Sequence, residues 1–302
     1  MTVVRFWKDK NMKKDLKNIP CFGVAGNFTG HLEQAGEAVD FANVKAAAGA
    51  PKAIFPTYLP AAKNLTKGTG INVGKNVTPE FLKQFPFDSA KIIYPSGEQK
   101  VQLEPECAVF CKVEWKDGKV VSLIPTAFAA SNDCSIRKEG AKKISLKKNW
   151  GESSKGLSEQ IIPVDEFSKN GILNKYRIAS FLVRDGKAFQ YGEDSAVRDY
   201  SYIYHQLVSW MIDKFNNQID EGPAENLNAY LNEAGCPEEF LVSIGATRYT
   251  DFGEHNFLQN DDESVVVLYP EDKYNLSNIT EMVENHDFSN GDVSILCQKV
   301  CL

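Results

Sequence analysis

The chain has 302 residues, of which 43% are hydrophobic and 25% are charged, a composition typical of a globular protein with a substantial core. Its formal net charge of -6, from 40 acidic and 34 basic residues, would repel a phosphate backbone unless the basic side chains were gathered on one face. The one basic run, Lys138 to Lys148, is poor in arginine and lacks interleaved aromatic residues, so we interpret it as a solvated loop and expect no nucleic-acid partner.

The sequence also argues against a membrane protein and against a protein stabilised by disulfide bonds. No apolar stretch approaches the ~20 residues that a transmembrane helix needs, and Met1 to Pro20 is crowded with lysine and aspartate instead of carrying an apolar signal core. We therefore expect a cytoplasmic protein with no membrane partner. The 7 cysteines lack the paired spacing of a zinc site and are expected to be reduced thiols, mostly buried.

The first part of the chain has an irregular pattern. Its predicted elements are, in chain order, a buried strand at Cys21 to Ala25, a glycine-bracketed loop at Gly26 to His31, a helix at 32–49, an irregular connection at 51–74 and a short helix at Pro79 to Phe85. We interpret residues 1–85 as an N-terminal region that contributes the loop with His31.

From residue 86 onward the pattern changes to strands with a few helices. Asp117-Gly118 and Asp185-Gly186 each lie between apolar runs, which predicts two β-hairpins. Apolar residues at helical spacing predict a helix from Asp199 to Asn217. The predicted strands are Lys91 to Tyr94, Val101 to Trp115, Val120 to Ile124, Ile178 to Val183, Ala188 to Tyr191, Val242 to Thr247 and Val265 to Tyr269, and a last helix–strand pair lies within Asn278 to Val300. The sequence therefore predicts a mainly β protein of the α+β class, with its core and a C-terminal extension in residues 86–302.

Two glutamates lie two positions apart in one predicted strand. Strand alternation puts Glu104 and Glu106 on one face, with Ala108 and Phe110 further along the same side. Carboxylates that close repel each other unless a cation lies between them, and hard oxygen ligands suit Mg²⁺, Mn²⁺ or Ca²⁺. The alternative is a solvated edge strand whose glutamates face water. This segment alone does not decide between the two.

Several short motifs occur in a common order along the chain. They are Gly26-Asn27-Phe28-Thr29-Gly30-His31, Glu104-Pro105-Glu106, Asn132-Asp133-Cys134-Ser135-Ile136-Arg137, Ser154-Lys155-Gly156, the strand–turn–strand unit Val183 to Gln190, and Gly245-Ala246-Thr247. Together they resemble the motifs of the fumarylacetoacetate hydrolase family. Each motif alone is weak, but all of them in the family's order form a strong signal. The resemblance implies a mixed β-sandwich roll with flanking helices.

The resemblance also implies a metal centre and catalytic residues. The metal ligands would be Glu104, Glu106 and Asp133, with Mg²⁺ as the first candidate and Mn²⁺ or Ca²⁺ as alternatives. His31 would be the general base that activates water, and Lys155 would reach the substrate. A metal that chelates two oxygens of the substrate draws off electron density as a carbanion or enolate leaves, and a nearby ammonium acts on the same oxygens.

Further residues are implied to contact the substrate, which in this family is a small oxo acid. They are Arg137, Gln190, Gly245 and Thr247. Members of the family commonly pair, so the resemblance also implies a homodimer.

The histidine motif departs from the family pattern. In hydrolytic and decarboxylating members a glutamate that orients the histidine follows it by three residues, whereas this chain has Gln34 there and Glu33 one place earlier. Glu33 could replace the missing glutamate if the loop turns differently. A neutral Gln34 would orient the imidazole without stabilising the imidazolium.

The sequence therefore supports two hypotheses of different kinds. The first is a metal-dependent hydrolase or lyase that cleaves or decarboxylates a small β-dicarbonyl or 2-oxo acid. The second is a protein that has kept the fold and binds a metal or small molecule, with its catalysis impaired by the altered histidine partner.

Overall fold

The computed structural model describes residues 14–41, 44, 46–61 and 77–302, in which strands predominate over helices. The strands are β1 (Cys21–Ala25), β2 (Ala53–Tyr58), β3 (Lys91–Ile93), β4 (Val101–Gln102), β5 (Pro105–Lys116), β6 (Lys119–Asn132), β7 (Ser135–Ile136), β8 (Gly156–Leu157), β9 (Ile162–Pro163), β10 (Tyr176–Arg184), β11 (Lys187–Ala196), β12 (Glu239–Ala246), β13 (Glu263–Pro270) and β14 (Ser294–Cys301). The α-helices are α1 (His31–Gln34), α2 (Ser145–Lys148), α3 (Tyr204–Asn217), α4 (Leu227–Glu233), α5 (Asp251–His255) and α6 (Leu276–Glu284).

The longest element is the hairpin formed by β5 and β6. Its turn residues Asp117 and Gly118 both have positive φ, 51° and 72°, as a tight two-residue hairpin turn requires. The two strands pair from Lys116 opposite Lys119 to Pro105 opposite Asn132. The far end of the hairpin, opposite the turn, therefore brings the residues around 105 next to those around 132.

Two mixed sheets are built around this hairpin. The larger has the order β2-β1-β12-β5-β6-β8, with β9 also paired to β6, and the smaller has the order β11-β10-β13-β14-β3. Apolar faces of the two sheets meet in one core, where the rings of Phe128 on β6 and Tyr176 on β10 are 4.8 Å apart in an edge-to-face arrangement. The result is the sandwich-like arrangement that the motifs imply.

Helix α3 covers the outer part of the larger sheet. Its buried residues Leu207, Met211 and Phe215 recur at four-residue spacing, so they lie on one face of the helix. The Phe215 ring packs 4.9 Å from the rings of both Phe22 and Phe240. Burying three such side chains stabilises the docked helix by about 1.5–3 kcal/mol each.

Most of the predicted elements are confirmed. Both Asp-Gly hairpins, the helix in the Asp199 to Asn217 segment and the last helix–strand pair are present as α3, α6, β14 and the strands named above. The α+β, mainly β class is confirmed as well. The predicted short helix near residue 80 is a 3-10 helix, Glu80–Lys83.

The predicted helix at 32–49 is wrong. Helix α1 ends at Gln34, and Gly36 follows in the left-handed region with φ 69°. The backbone N–H groups of Glu37 and Ala38 both donate to the carbonyl of Leu32, which closes a turn instead of extending the helix. Helix propensity of the alanine-rich stretch is overridden because the turn buries the Glu37 side chain.

The predicted irregular connection at 51–74 contains a strand. Strand β2 pairs with β1 at the edge of the larger sheet, so the missing N–H of Pro56 costs no ladder hydrogen bond with a further strand. Residues 62–74 of that connection lie outside the described residues. Strands β1 and β2 belong to the same sheet as β5 and β6, and the boundary at residue 85 stays a prediction.

Within the ranges given above, no helix combines the length and apolar character needed to cross a bilayer. All seven cysteines are free thiols, and Cys21, Cys107, Cys111 and Cys134 are buried. Burial raises the pKa of the Cys107 thiol, as expected for inert core thiols.

Candidate metal centre

Three acidic residues meet at the end of the β5–β6 hairpin opposite its turn. Glu104 immediately precedes β5, Glu106 lies in β5 opposite Ser131, and Asp133 immediately follows β6. One carboxylate oxygen from each lies within 4.8 Å of the others, and all three residues are at most 2% exposed. The alternative of a solvated edge strand is therefore wrong.

Local hydrogen bonds hold these residues in register. The Glu104 N–H donates to Asn132 Oδ1 at 3.1 Å, and the Asp133 N–H donates to the Glu104 carbonyl at 3.0 Å. The Asn132 amide in turn donates to Ser264 Oγ and Gln298 Oε1 on the second sheet. Both sheets thus fix the backbone from which the carboxylates project.

Glu106 differs from its two neighbours because no cation lies within ion-pair distance of it in the described part of the chain. Its Oε2 accepts the Gly245 N–H at 2.8 Å. Burial, followed by the charges of Asp133 and Glu104, raises the pKa of Glu106 well above its ordinary value. A buried carboxylate in this state fits a site that is completed by a cation.

Three buried cations contact the other two acids. Arg137 Nη2 lies 2.8 Å from Glu104 Oε1, and Lys155 Nζ lies 3.1 Å from Asp133 Oδ1. Lys148 Nζ contacts both acids, at 2.5 Å from Glu104 Oε2 and 2.9 Å from Asp133 Oδ2. Although burial raises the pKa of Glu104, Lys148 and Arg137 outweigh it and hold that pKa below its ordinary value.

Two carboxylate oxygens keep unused hydrogen-bonding capacity despite these contacts. Glu104 Oε1 and Asp133 Oδ2 lie at ion-pair distance from a cation, yet neither accepts a hydrogen bond of acceptable geometry from the described residues. A misaligned N–H leaves the lone pairs of these oxygens available even at ion-pair distance. Free lone pairs on two of three buried acids, each of which places one oxygen within 4.8 Å of the others, fit a divalent cation such as Mg²⁺.

Arg137 is the hub of a second buried network. Its guanidinium donates to Gln102 Oε1 at 2.6 Å, to Glu37 Oε1 at 2.9 Å and to the Tyr249 hydroxyl at 2.7 Å, in addition to its ion pair with Glu104. These contacts involve all three nitrogens of the planar guanidinium. In this structure Arg137 therefore orients Glu104 and joins it to the segment that follows α1.

His31 is buried at the start of α1, with its ring 5.2 Å from that of Tyr249. Burial lowers its pKa to about 4, so the imidazole is neutral at pH 7. Its Nδ1 has no hydrogen-bond partner among the described residues. A neutral imidazole with an unpaired nitrogen can accept a proton.

The structure does not bring the expected orienting residues to His31. Glu33 is exposed and makes no hydrogen bond to the histidine within the described ranges. The Gln34 amide instead bonds the backbone of Tyr249, accepting from its N–H at 2.9 Å and donating to its carbonyl at 3.1 Å. Gln34 thereby anchors α1 rather than the imidazole.

The residues implied to bind substrate differ in their contacts with the acidic residues. Gly245 donates to Glu106, and its φ of 122° is a conformation that L side chains rarely adopt. Thr247 is buried, and its Oγ1 has no hydrogen-bond partner in the described structure. Gln190 is half-buried on β11, where its amide donates to the Gly192 carbonyl, and its described contacts do not join it to the acidic residues.

The sequence interpretation missed the buried charged residues Glu37, Lys147 and Lys148. It treated Lys138 to Lys148 as a solvated loop, which is wrong at its end because Lys147 and Lys148 are each only 2% exposed. Lys147 Nζ lies 2.9 Å from both Glu37 Oε1 and Asp40 Oδ2. A buried lysine has no local sequence signal when its carboxylate partners come from distant segments.

No curated protein matches the chain by sequence. The model of a family described as "Family of unknown function (DUF5718)" matches residues 37–300.

Solved structures share the fold at low sequence identity. The protein Cg1458 is 13% identical, with a TM-score of 0.50 over 93% of this chain and 75% of that one. A 2-keto-3-deoxy-D-arabinonate dehydratase complexed with magnesium and 2,5-dioxopentanoate is 14% identical, with a TM-score of 0.50 over 93% and 72%. A candidate fumarylacetoacetate isomerase/hydrolase from Oleispira antarctica is 13% identical, with a TM-score of 0.50 over 84% and 88%. The predicted fumarylacetoacetate hydrolase-like fold is confirmed.

Proposed function

We propose that this chain, which belongs to the family of unknown function DUF5718, is a divalent-cation-dependent hydrolase or lyase acting on a small β-dicarbonyl or 2-oxo acid. The observation that carries the proposal is the buried group of Glu104, Glu106 and Asp133, with free lone pairs on two of the three. Mg²⁺ is the first candidate, because the dehydratase of similar fold was crystallised with magnesium and 2,5-dioxopentanoate, a 2-oxo acid. Mn²⁺ and Ca²⁺ are the alternatives.

The chain's own residues suit binding and orienting such a substrate. A divalent cation bound by the three acids would polarise the substrate oxygens. Lys155 is buried beside Asp133 and would place a further positive charge near those oxygens. The Gly245 N–H holds Glu106 in place, and Thr247, whose N–H donates to the Pro105 carbonyl, offers a buried hydroxyl that has no partner in the described structure.

His31 is the residue we propose as general base. Its imidazole is neutral at pH 7, and its Nδ1 is the atom at which a proton from water would be held. The family pattern includes an acidic partner for this histidine, and the nearest candidate, Glu33, does not reach it here. The charges of Glu104 and Glu37 instead favour the protonated imidazole, although burial outweighs them in the pKa.

One observation favours a second function, a protein that binds the cation and a small molecule without turnover. The exposed Glu33 and the anchored Gln34 leave His31 without the expected partner to stabilise an imidazolium. Turnover separates the two functions. The enzyme predicts Mg²⁺-dependent loss of an acylpyruvate or of oxaloacetate, whereas the binding protein predicts affinity for the same compounds with no product.

The decisive experiment measures cation binding before activity. Protein treated with chelator and then dialysed is titrated with MgCl₂ and MnCl₂ by calorimetry, and oxo acids are assayed with and without the cation. Asp133→Asn should abolish binding, whereas Asp262→Asn, a change at a buried acid that pairs with Arg184 outside the group, should leave it intact. Equal binding by both variants would contradict the proposed ligands.

The assembly that the family resemblance implies is a homodimer, and it stays a prediction. Light scattering of the purified protein after size exclusion should give twice the monomer mass of 33.6 kDa. A monomer at micromolar concentration would contradict it without bearing on the cation site.

A further inference from the structure

Lys148 stands out among the cations of the centre because one ammonium bridges two of the three acids. Its Nζ lies 2.5 Å from Glu104 Oε2 and 2.9 Å from Asp133 Oδ2, and its side chain is only 2% exposed. Arg137 and Lys155 each contact one member of the group. The ammonium therefore lies between carboxylates that a divalent cation would have to contact together.

The backbone around Lys148 is anchored at several points. Helix α2 is held by Ser145 Oγ, which donates to Glu225 Oε1 at 2.8 Å. The following Asn149 amide donates to the carbonyls of Thr57 and Gln84. The Phe55 ring centroid lies 5.3 Å from the Lys148 ammonium. Lys148 is thus a built part of the centre and not a surface side chain that has folded inward.

The charges of the group explain what this lysine does. Three carboxylates without compensation would be costly to bury, and Lys148 neutralises the two that flank it. A divalent cation at the same oxygens would stand within a few ångströms of the ammonium, where like charges repel strongly in a buried site. Glu106 has no cation within ion-pair distance in the described chain. Its carboxylate is therefore free to contact a divalent cation when one is bound.

We propose that Lys148 is a tethered cation that occupies the site between Glu104 and Asp133, and that a divalent cation binds only by displacing its ammonium. This inference rests on the proposed cation site. It makes Lys148 the determinant of metal affinity: the protein stays folded and charge-balanced without metal, and binding of Mg²⁺ or Mn²⁺ is weakened by the competition.

The test compares Lys148→Met with Lys147→Met. The control removes an adjacent lysine of the same helix and the same burial, whose carboxylate partners are Glu37 and Asp40. Calorimetric titration with MnCl₂ should show that Lys148→Met binds about 10- to 100-fold more tightly than wild type, and the control within about twofold. The melting temperature of Lys148→Met should fall without metal and rise more than that of wild type when Mn²⁺ is added.

The outcomes distinguish this inference from the proposed function. Equal affinity of wild type and Lys148→Met, or weaker binding by the variant, would overturn the displacement and leave the cation site standing. Absence of Mn²⁺ binding in all three proteins would overturn both. If Lys148→Met fails to fold, wild-type crystals soaked in MnCl₂ decide: the manganese anomalous peak should accompany a Lys148 Nζ that has left both carboxylates. A peak with the lysine still bridging them would overturn the inference.

Discussion

Glu104 and Glu106 are chemically identical residues two positions apart, yet the structure gives them opposite roles in stability. Glu104 contacts Lys148 and Arg137, whereas Glu106 accepts one backbone N–H and has no cation at ion-pair distance in the described chain. Removing the charge of each glutamate should therefore change the free energy of unfolding of the metal-free protein in opposite directions.

At Glu106 we expect a gain in stability. Glu106→Gln keeps an oxygen for the Gly245 N–H and removes the repulsion from Asp133 and Glu104. The metal-free variant should gain about 1–3 kcal/mol in free energy of unfolding, the usual cost of a buried polar group without its full partners. Urea denaturation at pH 8 measures this, and the same variant should lose cation affinity.

At Glu104 the same change should be harmful. Glu104→Gln removes the acid that Lys148 and Arg137 share. Asp133 and Glu37 remain as their partners, but the buried network then holds one positive charge in excess, which typically costs about 3 kcal/mol or more. The two variants are matched in size and chemistry. Equal shifts in the urea midpoint for both would contradict the charge assignments drawn from the ion pairs.

At the scale of elements, α2 depends on a titratable anchor. Burial raises the pKa of Glu225 to about 7 from its ordinary 4.5, while its hydrogen bond from Ser145 on α2 opposes the shift. Between these two pH values the folded protein holds a proton that the unfolded chain has released, so stability falls as the pH rises from 4.5 to 7. Above pH 7 the ionised group costs about 3 kcal/mol, at about 1.4 kcal/mol per pKa unit.

Glu225→Gln should remove this pH dependence. The amide oxygen can still accept from Ser145, so the variant should be more stable than wild type above pH 7 and similar to it near pH 4. Thermal unfolding from pH 4 to 8 measures the difference. Glu221→Gln, at an exposed position nearby, is the control and should follow the wild-type curve. A Glu225→Gln curve parallel to wild type would contradict the raised pKa.

The end of β12 is constrained by its backbone. An added Cβ at Gly245 would lie 3.0 Å from Asn27 Cβ, and the φ of 122° is strained for any side chain. Gly245→Ala should therefore cost about 1–3 kcal/mol and weaken cation binding, because it moves the N–H that holds Glu106. Gly291→Ala, where nothing lies within 4 Å of the added Cβ, should cost less than about 1 kcal/mol.

For the molecule as a whole, the sequence was most informative where structure follows from local chemistry. The Asp117-Gly118 turn and the spacing of apolar residues in α3 can each be recognised within a short window of sequence. The hairpin then brings Asp133 to the glutamates because β5 and β6 pair along their whole length.

What the sequence could not predict depends on contacts between distant segments. The alanine-rich stretch after His31 turns because Glu37 is buried against Arg137, 100 residues away along the chain. Lys148 looks like any surface lysine until the fold places two carboxylates beside it. Charged residues are mostly exposed, so a sequence alone predicts exposure for each of them. Only the tertiary structure shows which ones are buried.

The long hairpin also has a consequence for the order in which the protein folds. Its turn joins strands that are adjacent in sequence, whereas the parallel pairing of β1 with β12 joins Phe22 to Val242 across most of the chain. Closing so long a loop costs more entropy, so local hairpins are expected to precede it in the folding transition state. Val113→Ala in the hairpin should then slow refolding, whereas Val24→Ala in β1 should mainly speed unfolding. Stopped-flow kinetics in urea would measure both rates. The reverse pattern would mean that the three acids are desolvated only after β1 and β12 have paired.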